Sequence, residues 1–148
     1  MKVTGQSHET SEEPLARRIA SLFPPGVATA HQRSDQPAPA LFPVEMLAVQ
    51  RAVASRQHEF ALGRSCARAA LAGLGIGPCA IPVGVHGAPV WPVGTVGSIS
   101  HCRGLVIAAA ARTTNRIGGI GIDTERAMPL DDELVATVCA PPELAWMA

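Results

Sequence analysis

Apolar and polar positions along this chain change period several times, and each change marks an element. Early on, SEEPLARRIASLF alternates acids, arginines and apolar residues at helical spacing. A short helix is expected there, with Ser11 as its cap and acids in its first turn. The following stretch, PPGVATAHQRSDQPAPALFP, is broken throughout by Pro and Gly and predicts an irregular surface connection. From Glu45 to Leu74 there is no proline and many helix formers, which predicts one long helix or two in succession. Phe60, Ala67, Ala70, Leu71 and Leu74 recur at helical spacing as a buried stripe, and Gly73 and Gly75 mark its end.

Beyond Leu74 the texture turns to short runs. Around Ile81 to Val85 one short edge strand is expected inside a loop. VGSIS alternates, LVIAAAA reads as a buried strand, and HCRG between them reads as a hairpin turn. IGGIGID is a further strand candidate, and PLDDELVATVCA and PPELAWMA read as short helices. Strands joined by short turns beside a long helix predict an α+β layer: a small antiparallel sheet packed on that helix. The expected organisation is a single domain over 1–148. Residues 1–43 form an N-terminal extension with a helix and a Pro-rich loop, and 44–148 form the main body.

Composition narrows the function classes. The chain has 148 residues, 47% of them hydrophobic, which suffices for one core. Twelve basic and twelve acidic residues cancel, so no overall field points to nucleic acid or an anionic membrane. The most apolar run, GLVIAAAA, is far below the roughly 20 residues a bilayer requires, so no membrane span is expected. The polar, acid-bearing start resembles neither a secretory nor a transit segment. Cys66, Cys79, Cys102 and Cys139 show no metal-binding spacing and are expected as thiols in a cytoplasmic protein.

Three clusters carry candidate chemistry. In GIGIDTER, Asp123 and Glu125 stand two apart, so on a strand both carboxylates project from one face. Adjacent carboxylates repel, and a hard cation such as Mg²⁺ would compensate. The alternative is a solvated strand end, with Arg126 nearby. In WPVGTVGSISHCRG, the small residues Gly97, Ser98 and Ser100 permit close approach of a ligand, and His101 can donate to a phosphate. The alternative is an ordinary polar turn. A Ser100/His101 hydrolase is a further possibility, without the usual nucleophile elbow. On the long helix, Arg56, Arg64 and Arg68 are spaced to grip phosphate, or else to cover apolar surface. Together the clusters describe a site for a polyphosphate ligand held with Mg²⁺, with Trp91 either packing on a base or, as the plainer reading, anchoring the loop.

These residues fall in three ordered motifs. R-x-x-E-F-x-x-G-R-x-C-A-R-x-A-L-x-x-L-G spans Arg56 to Gly75, G-A-P-V-W-P-x-G-x-x-G-S-I-S-H-C spans Gly87 to Cys102, and G-I-D-x-E spans Gly121 to Glu125. The combination, from Leu41 to about Glu143, resembles the 4'-phosphopantetheinyl transferases, with the nearest likeness to the enterobactin-synthetase component D branch. The resemblance implies one lobe of that fold. It also implies transfer of phosphopantetheine from coenzyme A to a serine of an apo acyl, peptidyl or aryl carrier protein, for siderophore, polyketide or non-ribosomal peptide synthesis. Adenosine 3',5'-bisphosphate would be the by-product and Mg²⁺ the required ion.

Carried over by position, Arg56, Arg64, Ser100 and His101 become coenzyme A contacts, Asp123 and Glu125 metal ligands and catalytic acids, and Glu143 a further acid. His86 stands where the family often has Lys or Arg, which implies a weaker, pH-dependent contact. The chain also stops at ELAWMA, before the K-E-A-x-x-K motif of the larger members' second lobe. A first lobe alone is therefore expected, with a partner lobe, self-association or a non-catalytic coenzyme A-binding remnant as the possible outcomes.

Overall fold

The computed structural model describes residues 14–129 and 131–147. The expected α+β layer is present, a three-stranded antiparallel sheet lying on one long helix. Helix α1 (Leu15–Ala20) leads to strand β1 (Val27–Gln32), then to helices α2 (Pro43–Val49) and α3 (Ala54–Gly73). Strands β2 (Thr95–Cys102) and β3 (Leu105–Arg112) follow as a hairpin, and α4 (Asp132–Val138) and α5 (Pro141–Met147) close the described chain. The cap expected from Ser11 falls outside the described residues.

Strand order is β1-β3-β2. The central position explains the alanine run of β3. A strand with neighbours on both sides and cover on both faces needs small apolar side chains, and Ala108, Ala109, Ala110 and Ala111 are all fully buried. Val106, Ala108 and Ala110 face α3, where they meet Leu62, Cys66, Ala67, Ala70 and Leu71. The stripe expected on this helix is thus the core, widened by Leu62 and Cys66. Leu74 caps α3, and Gly75 turns the chain away at φ +75°, as the two glycines predicted.

The two-helix alternative for 45–74 is the one realised. Glu45 draws α2 inward. Although fully buried, its carboxylate accepts the Phe42 N–H at 2.9 Å, the Ile81 N–H at 2.8 Å and Arg68 Nη1 at 2.8 and 3.0 Å. A buried charge is tolerated only when paired and bonded in this way. Arg68 is therefore a structural tie between the two helices.

Three expectations change. The stretch expected to be irregular contains β1, which pairs with β3 over Val27 to Gln32 and is pinned to α3 by Gln32 Nε2 donating to the Leu62 carbonyl at 2.9 Å. The edge strand expected at Ile81 to Val85 shrinks to a single bridge between Val83 and Pro89, with a 3₁₀ turn at Val85–Gly87. The IGGIGID strand does not join the sheet. Its backbone lies beside β2 but bonds to side chains: Ser98 Oγ accepts the Ile122 N–H at 3.2 Å and Ser100 Oγ accepts the Thr124 N–H at 3.0 Å. Serine hydroxyls have taken the place of the backbone ladder.

Candidate functional site

Alternation along β2 sorts the site. Gly97, Ile99 and His101 lie opposite Ala110, Ala108 and Val106, which places them on the face that meets α3. Ser98 and Ser100 project to the other side.

The α3 face carries a cleft of about 240 Å³ bordered by Arg56, Glu59, Phe60, Arg64, Gly97 and His101. Two glycines make it. A Cβ on Gly63 would stand 3.1 Å from the Ile99 side chain, so its absence lets α3 approach β2 closely. A Cβ on Gly97 would stand 2.5 Å from the Trp91 ring and 2.6 Å from the Ala109 carbonyl, so Trp91 packs directly against the strand backbone there. The anchoring role expected of Trp91 is what the packing shows.

Arg64 is only 5% exposed. Its Nε donates to the Ile81 carbonyl at 2.7 Å, and its guanidinium lies 4.2 Å from the centre of the Phe60 ring. Burial pushes its pKa below the ordinary arginine value; Glu45 opposes this, while Arg68 and Arg56 add to it. An arginine held this way is oriented before any ligand arrives. Arg56 is exposed at the rim, with Nη1 3.6 Å from Glu59 Oε2. His101 Nε2 lies 3.9 Å from the same oxygen. Arg56, Arg64 and His101 thus share one cleft. Glu59, which pattern reading left without a role, stands among them. Its position three residues after Arg56 on a helix was the available signal.

Asp123 lies on the other side of β2. Ser100 Oγ donates to its Oδ1 at 3.3 Å, and the Thr124 N–H donates to the same oxygen at 2.9 Å. Two alternate N–H groups of the segment, those of Ile122 and Thr124, both reach serine hydroxyls of β2. Asp123 and Glu125 are both exposed. Among the described residues no three His, Cys, Asp or Glu side chains gather into a metal-binding group. Two hard oxygen donors suit Mg²⁺ shared with a phosphate and water, not a closed protein cage.

The remaining candidates stand apart. His86 is exposed in the 3₁₀ turn with φ +56°, a left-handed conformation uncommon for a side-chain-bearing residue, while its neighbour Gly87 borders the cleft. Glu143 accepts the Ala140 N–H at 2.7 Å and so closes the first turn of α5. Ser100 and His101 project to opposite faces of β2, and the Ser100 hydroxyl is engaged with Asp123. The serine–histidine couple of a hydrolase is therefore not formed.

Comparison with known proteins bears on the family. Residues 44–111 match the model of the 4'-phosphopantetheinyl transferase N-terminal domain. The chain is 46% identical over 133 residues to the 4'-phosphopantetheinyl transferase Svp of Streptomyces mobaraensis, covering 88% of this chain and 54% of that protein. It is 39% identical over 129 residues to the 4'-phosphopantetheinyl transferase Npt of Nocardia iowensis, covering 87% and 58%. It is 38% identical over 133 residues to the 4'-phosphopantetheinyl transferase PptT of Mycobacterium tuberculosis, again 87% and 58%. The chain therefore spans a little over half the length of these relatives. No helix among the described residues is long and apolar enough to cross a membrane.

Proposed function

Because the chain belongs to the 4'-phosphopantetheinyl transferase superfamily, we propose that it takes part in moving 4'-phosphopantetheine from coenzyme A to a serine hydroxyl of an apo carrier protein. The observation that carries the reading is the cleft in which Arg56, Arg64 and His101 meet on one face of β2, with the segment of Asp123 tied to the opposite face of the same strand through Ser100. Similarity to relatives named as transferases favours this over a non-catalytic remnant.

In this reading the serine oxygen attacks the phosphorus bearing the pantetheine arm. The bond from that phosphorus to the bridging oxygen breaks, and its electron pair leaves with adenosine 3',5'-bisphosphate. The serine proton passes to a carboxylate or water. Such a transfer needs positioning and charge stabilisation more than covalent help. Arg64, fixed by Ile81 and Phe60, orients a coenzyme A phosphate. Arg56 and His101 complete its cradle, and His86 adds a contact from the neighbouring turn. Asp123 and Glu125 would hold Mg²⁺, which supplies positive charge to the diphosphate when bound. Ser100 is a positioning residue, fixing Asp123 through its hydroxyl. The carrier is an acyl, peptidyl or aryl carrier protein of siderophore, polyketide or non-ribosomal peptide synthesis, in the cytoplasm. The further half implied by the relatives' length would be a second lobe or a second copy.

The test is intact-mass measurement of an apo carrier protein after incubation with the purified chain, coenzyme A and Mg²⁺. Addition of one phosphopantetheine is expected, with the addition lost on Mg²⁺ chelation and in Asp123→Asn. Coenzyme A binding without any mass gain refutes transfer by this chain.

A further inference from the structure

The structure assigns Glu59 the part of an internal competitor for the phosphate cleft, a proposal that rests on the transferase reading above. Glu59 is the one carboxylate bordering that cleft among the described residues. Its Oε2 lies 3.6 Å from Arg56 and 3.9 Å from His101. Both separations exceed hydrogen-bond length, so the carboxylate supplies charge without being held in place. Glu45 shows the contrast: its oxygens accept four bonds between 2.8 and 3.0 Å and cannot leave.

A terminal phosphate can make charge-assisted bonds of about 2.7–2.9 Å to the same two side chains. It cannot do so while Glu59 stands between them. Glu59 also has somewhere to go. Together with His101 it forms the wall between the arginine cleft and a second cavity of about 360 Å³, bordered by Ser55, His58 and Arg103. An entering phosphate would take Arg56 and His101, and Glu59 would turn toward Arg103 and His58. The empty cleft then keeps a carboxylate beside Arg56 and His101. The ligand is also bound less tightly than the arginines alone would bind it, which speeds departure of the adenosine bisphosphate product.

The experiment is calorimetric titration of the full chain and of Glu59→Gln with coenzyme A and with adenosine 3',5'-bisphosphate, with no carrier protein present. Removing one negative charge roughly 5 Å from the phosphate in a largely aqueous setting predicts binding about fivefold tighter for both ligands, a gain that shrinks as salt rises. Glu59→Asp, which withdraws the carboxylate by one methylene, should fall between the two and serves as the second variant. Thermal melts confirm folding, and the part-exposed position of Glu59 makes both changes tolerable. Unchanged or weaker binding by a folded Glu59→Gln overturns the competitor role and leaves the transferase reading standing. Failure of wild type and variants alike to bind either ligand overturns both.

Discussion

Glu45→Gln is the sharpest test of how the fold sets up the cleft. The side chain keeps its size, but one carboxylate oxygen becomes an NH₂ donor. Glu45 Oε1 accepts from Arg68 and Ile81, and Oε2 from Arg68 and Phe42. Whichever way the new amide turns, its NH₂ faces one backbone N–H, and Arg68 loses its counter-charge. An unsatisfied buried donor costs about 1–3 kcal/mol. Breaking a buried ion pair by removing one partner costs about 3–5 kcal/mol. The Arg68 side chain is 15% exposed and can recover part of its hydration, so the combined loss expected is about 3 kcal/mol.

At about 2–4 °C per kcal/mol for a chain of this size, that is a fall in Tm of about 6–12 °C. A second readout follows from connectivity. The Ile81 N–H bonds to Glu45, and the Ile81 carbonyl receives Arg64 Nε at 2.7 Å. Loosening Ile81 therefore loosens Arg64, and coenzyme A affinity should drop in a variant whose substitution lies outside the cleft. Urea denaturation gives the stability change, and titration of the folded fraction gives the affinity. A stability loss below about 1 kcal/mol would refute the account of Glu45 as a charged tie, because that is the size of an exposed salt bridge. Intact affinity alongside a large stability loss would refute only the link to Arg64.

Gly97→Ala should destabilise by about 1–3 kcal/mol or displace Trp91, because its Cβ would overlap both that ring and a backbone carbonyl; indole fluorescence and a thermal melt report the two outcomes. Arg64→Lys keeps the charge but loses the planar fork held between Ile81 and Phe60, so coenzyme A binding should weaken about tenfold by calorimetry, and retention of full affinity would refute the orienting role. Burial raises the Cys66 thiol pKa from 9.0 to about 11. The unfolded chain gives up this proton first, so stability should fall as pH climbs from about 9 through about 11, and the thiol should resist alkylation at pH 8 until denaturant is added. Rapid native labelling of Cys66 would refute its burial.

The parts of this fold visible from sequence are those where one physical signal dominates. The α3 stripe, the closing Gly75 and the β2–β3 hairpin follow from period and turn chemistry alone. The alanine run of β3 reads as a buried strand because it continues the apolar LVI that follows the HCRG turn from an alternating strand. β1 escaped because VATAHQ is half-buried throughout and lacks clean alternation, and because the prolines around it speak for a loop. Its strand character comes from pairing with β3 and from the Gln32 bond to α3, both tertiary. The acidic segment failed in the opposite sense. IGGIGI has strand composition, yet its partner edge offers serine hydroxyls at alternate positions, and these bind the backbone in place of the ladder. At the site, charge and spacing pointed to Arg56, Arg64, His101 and Asp123. What they could not show was that Arg64 is buried while Arg68 is consumed by Glu45, since that choice depends on where α2 folds back.

A single strand organises what the candidate site can do. Ser100 and His101 are neighbours in sequence and project from opposite faces of β2. The histidine meets the arginines of α3, and the serine holds the acidic segment. A slip of one residue in the β2–β3 register would exchange the two faces, setting serine against the arginines and histidine against Asp123. The register is fixed by features that are not themselves candidate ligands. Gly97 accepts the Trp91 ring at one position only, and the Gly104 turn closes the hairpin with φ +97°. The small, apolar and apparently passive residues of β2 and β3 therefore decide which charged group stands where. Substitutions that preserve every candidate ligand but permit a register slip should abolish the site as thoroughly as removal of the ligands themselves.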